Sequence, residues 1–197
     1  MRQDIIYDNP SSSFLIYFHR IVNNNTDKTT GDIAGSSAPC RDLVLQAEAM
    51  PPLLQQIHQN SKLSMLKQLR DATYTVCILC SGQPLPDFEM VRPCLPTLSQ
   101  LISSCTDEEV LIFSCLALQF LSYEKKQAVI VAGVCGQQLV RLLSHSSQEV
   151  QLEALRTVGN IVNGDDSQMQ CIIDNHALPN LCALCFSPRG REVSTCR

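Results

Sequence analysis

The chain has 197 residues, of which 45% are apolar and 17% charged, with a net charge of −4. This is globular rather than disordered composition, and it disfavours a broadly basic nucleic-acid surface while suiting a basic partner. No stretch reaches the roughly 20 apolar residues of a membrane span; the longest, Leu111–Leu121, contains Ser114 and Gln119.

In chain order, residues 1–40 are largely polar and predict a poorly ordered segment apart from a helix over Ser13–Val22. The N-terminus carries no basic leader stretch, so no targeting peptide is expected. After Arg41, apolar segments of helical period alternate with short turns, without the alternation of strands. Pro52-Leu53-Leu54-Gln55-Gln56-Ile57, Pro96-Thr97-Leu98-Ser99-Gln100-Leu101, Gln137-Gln138-Leu139-Val140-Arg141-Leu142 and Pro179-Asn180-Leu181-Cys182-Ala183-Leu184 share one template. Their starts lie about 41–44 residues apart, the spacing of armadillo or HEAT repeats. A second template runs through Ala72–Leu79, Ser114–Leu121 and Ala154–Ile161, and a third through Leu43–Leu45, Ala128–Ile130 and Cys171–Ile173. Three helices per period is the armadillo pattern.

The expected architecture is therefore all-α: a right-handed armadillo superhelix of about three repeats plus fragments. The repeats are expected over 41–187, with a remnant of one more inside 1–40 and a tail over 188–197. Thr106-Asp107-Glu108-Glu109 and Ser146-Ser147-Gln148-Glu149 fit capping boxes that open the longest helices. The first helix of each repeat is expected to end near Glu48, Gly133 and His176. Glycine suits a left-handed cap, whereas glutamate there carries a strain cost. Neither end of the stack shows a polar cap, which predicts exposed apolar ends and low stability.

The eleven cysteines are odd in number and scattered through apolar runs such as Tyr74–Cys80. They read as reduced, buried thiols of an intracellular protein. Cys77/Cys80 and Cys182/Cys185 have metal-pair spacing but lie about a hundred residues apart inside helices, so no zinc site is expected. His19, His58, His145 and His176 accompany no nucleophile motif, and Gly164-Asp165-Asp166 reads as a solvated turn rather than a calcium loop. No enzyme activity, metal or cofactor is implied.

Several segments resemble importin alpha, above all its plant and fungal forms. They are Arg41–Ala47, Met50–Gln56, Gln127–Ile130, Ala132–Cys135 and Ala154–Asp166. The resemblance covers about 28–185 and implies a nuclear-import adaptor that works between cytoplasm and nucleus. Its partners would be cargo proteins carrying basic nuclear localisation signals, with no direct nucleic acid or membrane contact. In that family the third helix of each repeat lines a concave groove with a Trp-x-x-x-Asn array. Indoles grip the aliphatic stems of Lys and Arg, and the Asn amide pins the extended peptide backbone.

Measured against that array, Lys28 stands for Trp, Asp32 for Asn, and Ser36 for an acidic residue that receives a key lysine. In the next repeat Tyr74 replaces Trp and Ile78 replaces Asn, and in the following one Leu116 replaces Trp with Phe120 four positions on. Arg156 and Asn160 match the family pattern of their repeat. Asp71 and Glu153 lie three residues before the Trp-equivalent positions, and Glu109 lies seven before. Tyr74, Asp71, Glu109, Glu153, Arg156 and Asn160 are therefore the candidate peptide-binding residues, expected to give weakened, salt-sensitive binding. The family's basic N-terminal segment is not found, so importin beta is not expected to be reached through this chain. Other readings are an interaction fragment that dimerises through its apolar ends, or a barely functional product without cargo binding.

Overall fold

The computed structural model describes residues 28–59 and 65–186; the helix expected over Ser13–Val22 and the tail over 188–197 lie outside them. Among the described residues the secondary structure is α-helix and one short 3-10 turn, with no strand. No described helix is long and apolar enough to cross a membrane. The chain divides into two compact units, Met1–Pro86 and Asp87–Arg197.

The first unit contains α1 (Lys28–Gly35), α2 (Ala38–Gln46), α3 (Met50–Gln59) and α4 (Leu66–Cys80). With α1, helical structure begins before residue 40. The helix α1 packs on α2 and α4, and α3 also packs on α4. Leu53, Ala72, Val76 and Leu79 are fully buried in this unit, and each large apolar side chain removed from water contributes roughly 1.5–3 kcal/mol. Ser37 caps α2, its hydroxyl accepting from the Cys40 N–H at 3.3 Å, and Pro39 in the first turn is pre-set for helix. The same helix ends in a left-handed turn at Glu48, with φ 55°. Glu48 N–H donates to Leu45 O and Ala49 N–H to Val44 O, which satisfies the last carbonyls in a Schellman arrangement.

The second unit begins with α5 (Phe88–Val91), which runs into the 3-10 turn Arg92–Cys94. There follow α6 (Leu95–Ser104), α7 (Glu108–Leu121), α8 (Lys125–Leu142), α9 (Gln148–Val162), α10 (Asp166–Asp174) and α11 (Ala177–Phe186). Its core contains Leu98, Val110, Leu118, Val131, Leu139, Val150, Ala154 and Ile161, all inaccessible to solvent. In repeat terms, α2–α4 form one triplet and α5–α7 a second. The helices α8 and α9 carry a third, α10 and α11 open another, and α1 is the third helix of a preceding one. This is the armadillo arrangement.

Three expectations are corrected. Gly133 does not end a helix: α8 runs unbroken through it, so the first and second helices of that repeat are fused. The equivalent second helices begin with proline, at Pro51 and Pro52 in α3, Pro96 in α6 and Pro179 in α11. Proline cannot continue a preceding helix and fits a first turn. The stretch Val134-Cys135-Gly136-Gln137 has none, so nothing forces a restart, and glycine permits a left-handed turn without requiring one.

The expected capping boxes are also displaced. Asp107, not Thr106, caps α7 and accepts from the Val110 N–H at 3.2 Å, as the better capping type does. Ser147, not Ser146, begins α9 and makes no side-chain cap bond. A full capping box forms instead at Asp165 and Gln168, in the segment read as a plain turn. The hydrogen bonds from Ser167 and Gln168 hold the Asp165 carboxyl below its usual range. Gln168 is buried, and its amide also donates to Lys125 O at 2.6 Å. A side chain at Gly164 would overlap it, so that glycine is set by close approach.

The cysteines, finally, are not uniformly buried. Cys77, Cys80, Cys94, Cys115 and Cys135 are, but Cys182 and Cys185 are exposed on α11. Among the described residues all the cysteines are free, and no group of three or more His, Cys, Asp or Glu could hold a metal ion. Leu178 and Phe186 on α11 are also exposed.

Candidate functional site

The candidate residues lie on third helices: Asp71 and Tyr74 on α4, Glu109 on α7, and Glu153, Arg156 and Asn160 on α9. Within each unit, neighbouring third helices run side by side, α1 with α4 and α7 with α9.

In the first unit, Lys28, Gly31 and Asp32 share one face of α1 by their i, i+3 and i+4 spacing. That face meets Tyr74. A Cβ at Gly31 would lie 2.9 Å from Thr75 Oγ1 and 3.1 Å from the Tyr74 ring, so the missing side chain is what lets the ring lie on the α1 backbone. Lys28 Nζ stands over the ring, 5.9 Å from its centroid. The phenol donates a long hydrogen bond of 3.5 Å to Asp32 Oδ1. Burial pushes the Tyr74 phenol up, and the Asp32 carboxylate adds to it. Asp71 is half-buried, and its carbonyl accepts from Thr75 Oγ1 at 2.9 Å. Ile78, in the amide position of the array, is half-buried and lies against the Gly35 backbone. It offers no hydrogen bond to a peptide.

In the second unit, Glu153 is 9% exposed and pairs through Oε1 with Arg156 Nη1 at 2.7 Å, one turn along α9. Its Oε2 is buried without a hydrogen-bond partner. Thr157 Oγ1 shares its one proton between Cys115 O at 3.1 Å and Glu153 O at 2.9 Å. Asn160 Nδ2 donates to Gln119 O at 3.1 Å and to Ser122 Oγ at 3.4 Å. That amide is thereby oriented by the end of α7, with its oxygen directed away from those two acceptors. Leu116 and Phe120 are half-buried on α7, and Glu109 is exposed in its first turn. Given the α7–α9 register set by Thr157 and Asn160, Glu109 lies within about one turn of the level of Glu153. Burial, with the Glu153 charge next, pushes the Cys115 thiol up to about 12.

The structure thus joins Glu153 to Arg156 and sets Asn160 one turn further along the same helix. It surrounds Tyr74 with Lys28, Gly31 and Asp32, partners that the sequence offered only as departures from the array. Gln119, Ser122 and Thr157 were not singled out from the sequence, although a signal for them exists. The bridging hydrogen bonds join residues 42, 42 and 41 apart, which is the repeat period itself.

A family model of the Armadillo/beta-catenin-like repeat matches residues 122–162. Importin subunit alpha-1a of Oryza sativa subsp. japonica is 56% identical over 151 residues, which is 75% of this chain and 28% of that protein. Importin subunit alpha-1b of the same organism is 53% identical over 166 residues, 83% of this chain and 30% of that protein. Importin subunit alpha-3 of Arabidopsis thaliana is 53% identical over 145 residues, covering 72% and 26%. The chain therefore spans under a third of the length of these relatives. Among solved structures, a designed armadillo repeat protein in complex with peptide (KR)4 superposes with TM-score 0.74 at 21% identity, over 88% of this chain and 75% of that one. A second designed armadillo repeat protein gives TM-score 0.76 at 20% identity, again over 88% and 75%. These two likenesses establish the fold, and the identity with the plant proteins carries the assignment further: the chain belongs to the importin alpha family.

Proposed function

We propose that this chain is a nuclear-import adaptor that recognises lysine- and arginine-rich localisation signals of cargo along its third-helix faces, moves between cytoplasm and nucleus, and binds those signals weakly. No catalysis belongs to that role. The observation that carries the reading is the α9 face. There Asn160 presents an amide already oriented by Gln119 and Ser122, suited to accept from the N–H of an extended peptide. Asp71 and Glu109 supply negative charge near the starts of their third helices, where a cationic side chain would be attracted. The designed protein of the same fold that holds peptide (KR)4 supports the same ligand chemistry.

Weak binding follows from what is already committed. Glu153 spends one oxygen on Arg156 and buries the other, so little of its charge is left for a ligand. Tyr74 is half-buried against its own neighbours, with Lys28 over its ring, and Ile78 leaves a peptide backbone group without a partner, at a cost of roughly 1–3 kcal/mol if that group is buried. The test is a fluorescence titration of a labelled lysine–arginine peptide at low and physiological salt. Binding that weakens with salt, and falls about two- to fivefold in Asp71→Ala, is expected. Equal affinity for a composition-matched acidic peptide would end the proposal.

The exposed apolar residues of α11 favour a second reading, self-association through that helix. Light scattering that reports a concentration-independent monomer removes it.

A further inference from the structure

We propose that Lys28 is a built-in competitor for the Tyr74 ring, a cation supplied by the chain itself that keeps the cationic side chain of a cargo peptide off that ring. This deepens the reading above and rests on it. In the first unit the only aromatic ring of α4 already carries an ammonium group above it, at 5.9 Å. A cation over a half-buried tyrosine ring gains about two- to fivefold in affinity, or about 0.5–1 kcal/mol at the solvent-accessible end of the range. That is the same interaction an incoming lysine or arginine would seek. The competitor is held on α1, a helix packed against α4, so its effective concentration at the ring exceeds that of any free peptide at ordinary concentrations. An arriving cation must displace Lys28 and then remain beside the displaced charge. Asp32 does not rescue the site, because it sits at the phenol end of the ring. Gly31 closes the side of the ring that faces α1. Lys28 is thus a specificity-determining residue. It biases the first unit against a cation at this position and towards a neutral side chain.

The test uses the full chain and two readouts. The first needs no ligand: the ε-methylene protons of Lys28 should show an upfield ring-current shift in the NMR spectrum that disappears in Tyr74→Leu. The second is titration with the labelled lysine–arginine peptide. Lys28→Ala should bind about two- to fivefold tighter than the unmodified chain, while Lys28→Arg, which keeps the cation, should bind as the unmodified chain does. Lys28 is exposed, and alanine is the better helix former, so neither variant threatens the fold. Absence of the ring-current shift overturns the proposal directly. Unchanged affinity in Lys28→Ala, with Asp71→Ala still weakening binding, overturns the competitor and leaves the groove reading intact. If neither the unmodified chain nor Lys28→Ala binds the basic peptide at low salt, both fall together.

Discussion

Arg41 is 2% exposed, and every donor it directs inward finds a partner. Its Nη1 donates to Ser81 O and Pro84 O, both at 2.7 Å, and its Nε and Nη2 donate to Asp42 Oδ1. A buried guanidinium is tolerated only when so satisfied, and here it ties the first turns of α2 to the loop that follows α4. Gly82 in that loop has φ 97°, and a Cβ there would come within 2.9 Å of Arg41 Nη1. Arg41→Met should leave the two carbonyls without this donor and lower the unfolding free energy by about 2–4 kcal/mol in chemical denaturation. A loss within experimental error would mean the carbonyls find water instead. At Glu48 the opposite sign is expected. It is exposed and left-handed, a conformation that costs an L-residue about 1–2 kcal/mol. Glu48→Gly should raise stability by about 1 kcal/mol. The glutamate was recognisable in the sequence as out of place; its φ confirms why. His176, with φ 62°, plays the same part after α10.

At the scale of the element, the informative helix is α8. Its length follows from the absence of proline after Gly133, not from the presence of glycine. Gly133 is solvent-exposed, and a Cβ there would meet nothing within 4 Å. Gly133→Ala should therefore stabilise the chain by about 0.5–1 kcal/mol, measured as a higher midpoint in thermal unfolding. Were the chain left-handed at this position, as the sequence alone suggested, alanine would destabilise it. Gly136, three residues on, is different. Asn175 Nδ2 would lie 3.3 Å from its Cβ, so there the glycine serves the packing of α10 on α8.

For the whole molecule, the cysteines divide by environment rather than by number. Burial raises Cys135 to about 12 from an ordinary value of 9.0, and Cys115 reaches about 12 by burial and the neighbouring Glu153. Cys40 is shifted the other way by the hydroxyls of Ser36 and Ser37. At neutral pH a thiol reagent should label Cys40, Cys182 and Cys185 first and reach Cys115 and Cys135 only on unfolding. The raised thiols contribute stability that is fully present below pH 9, because both states are then protonated. Above it the unfolded thiols ionise while the folded ones do not, so stability should fall as pH rises towards 12. Mass-spectrometric peptide mapping and unfolding curves between neutral and alkaline pH check both statements.

The sequence by itself determined that the chain is helical and that its helices recur with a period near 42. These are local properties, since helical periodicity and proline position act over a single turn, and repetition only multiplies them. The resemblance of Arg41–Ala47 and Ala154–Asp166 to a known family was legible for the same reason. The tertiary structure alone decided which polar groups meet across repeats. Lys28 and Asp32 share one helix, but Tyr74 lies 42 residues beyond Asp32, and only the packing of α1 on α4 brings these three departures from a binding array together around one ring. Glu153 likewise looked like an open carboxylate until the register of α7 and α9 buried it. Whether a side chain is available to a ligand depends on what the neighbouring helix places beside it, and that is fixed by packing rather than by the residue's own sequence context.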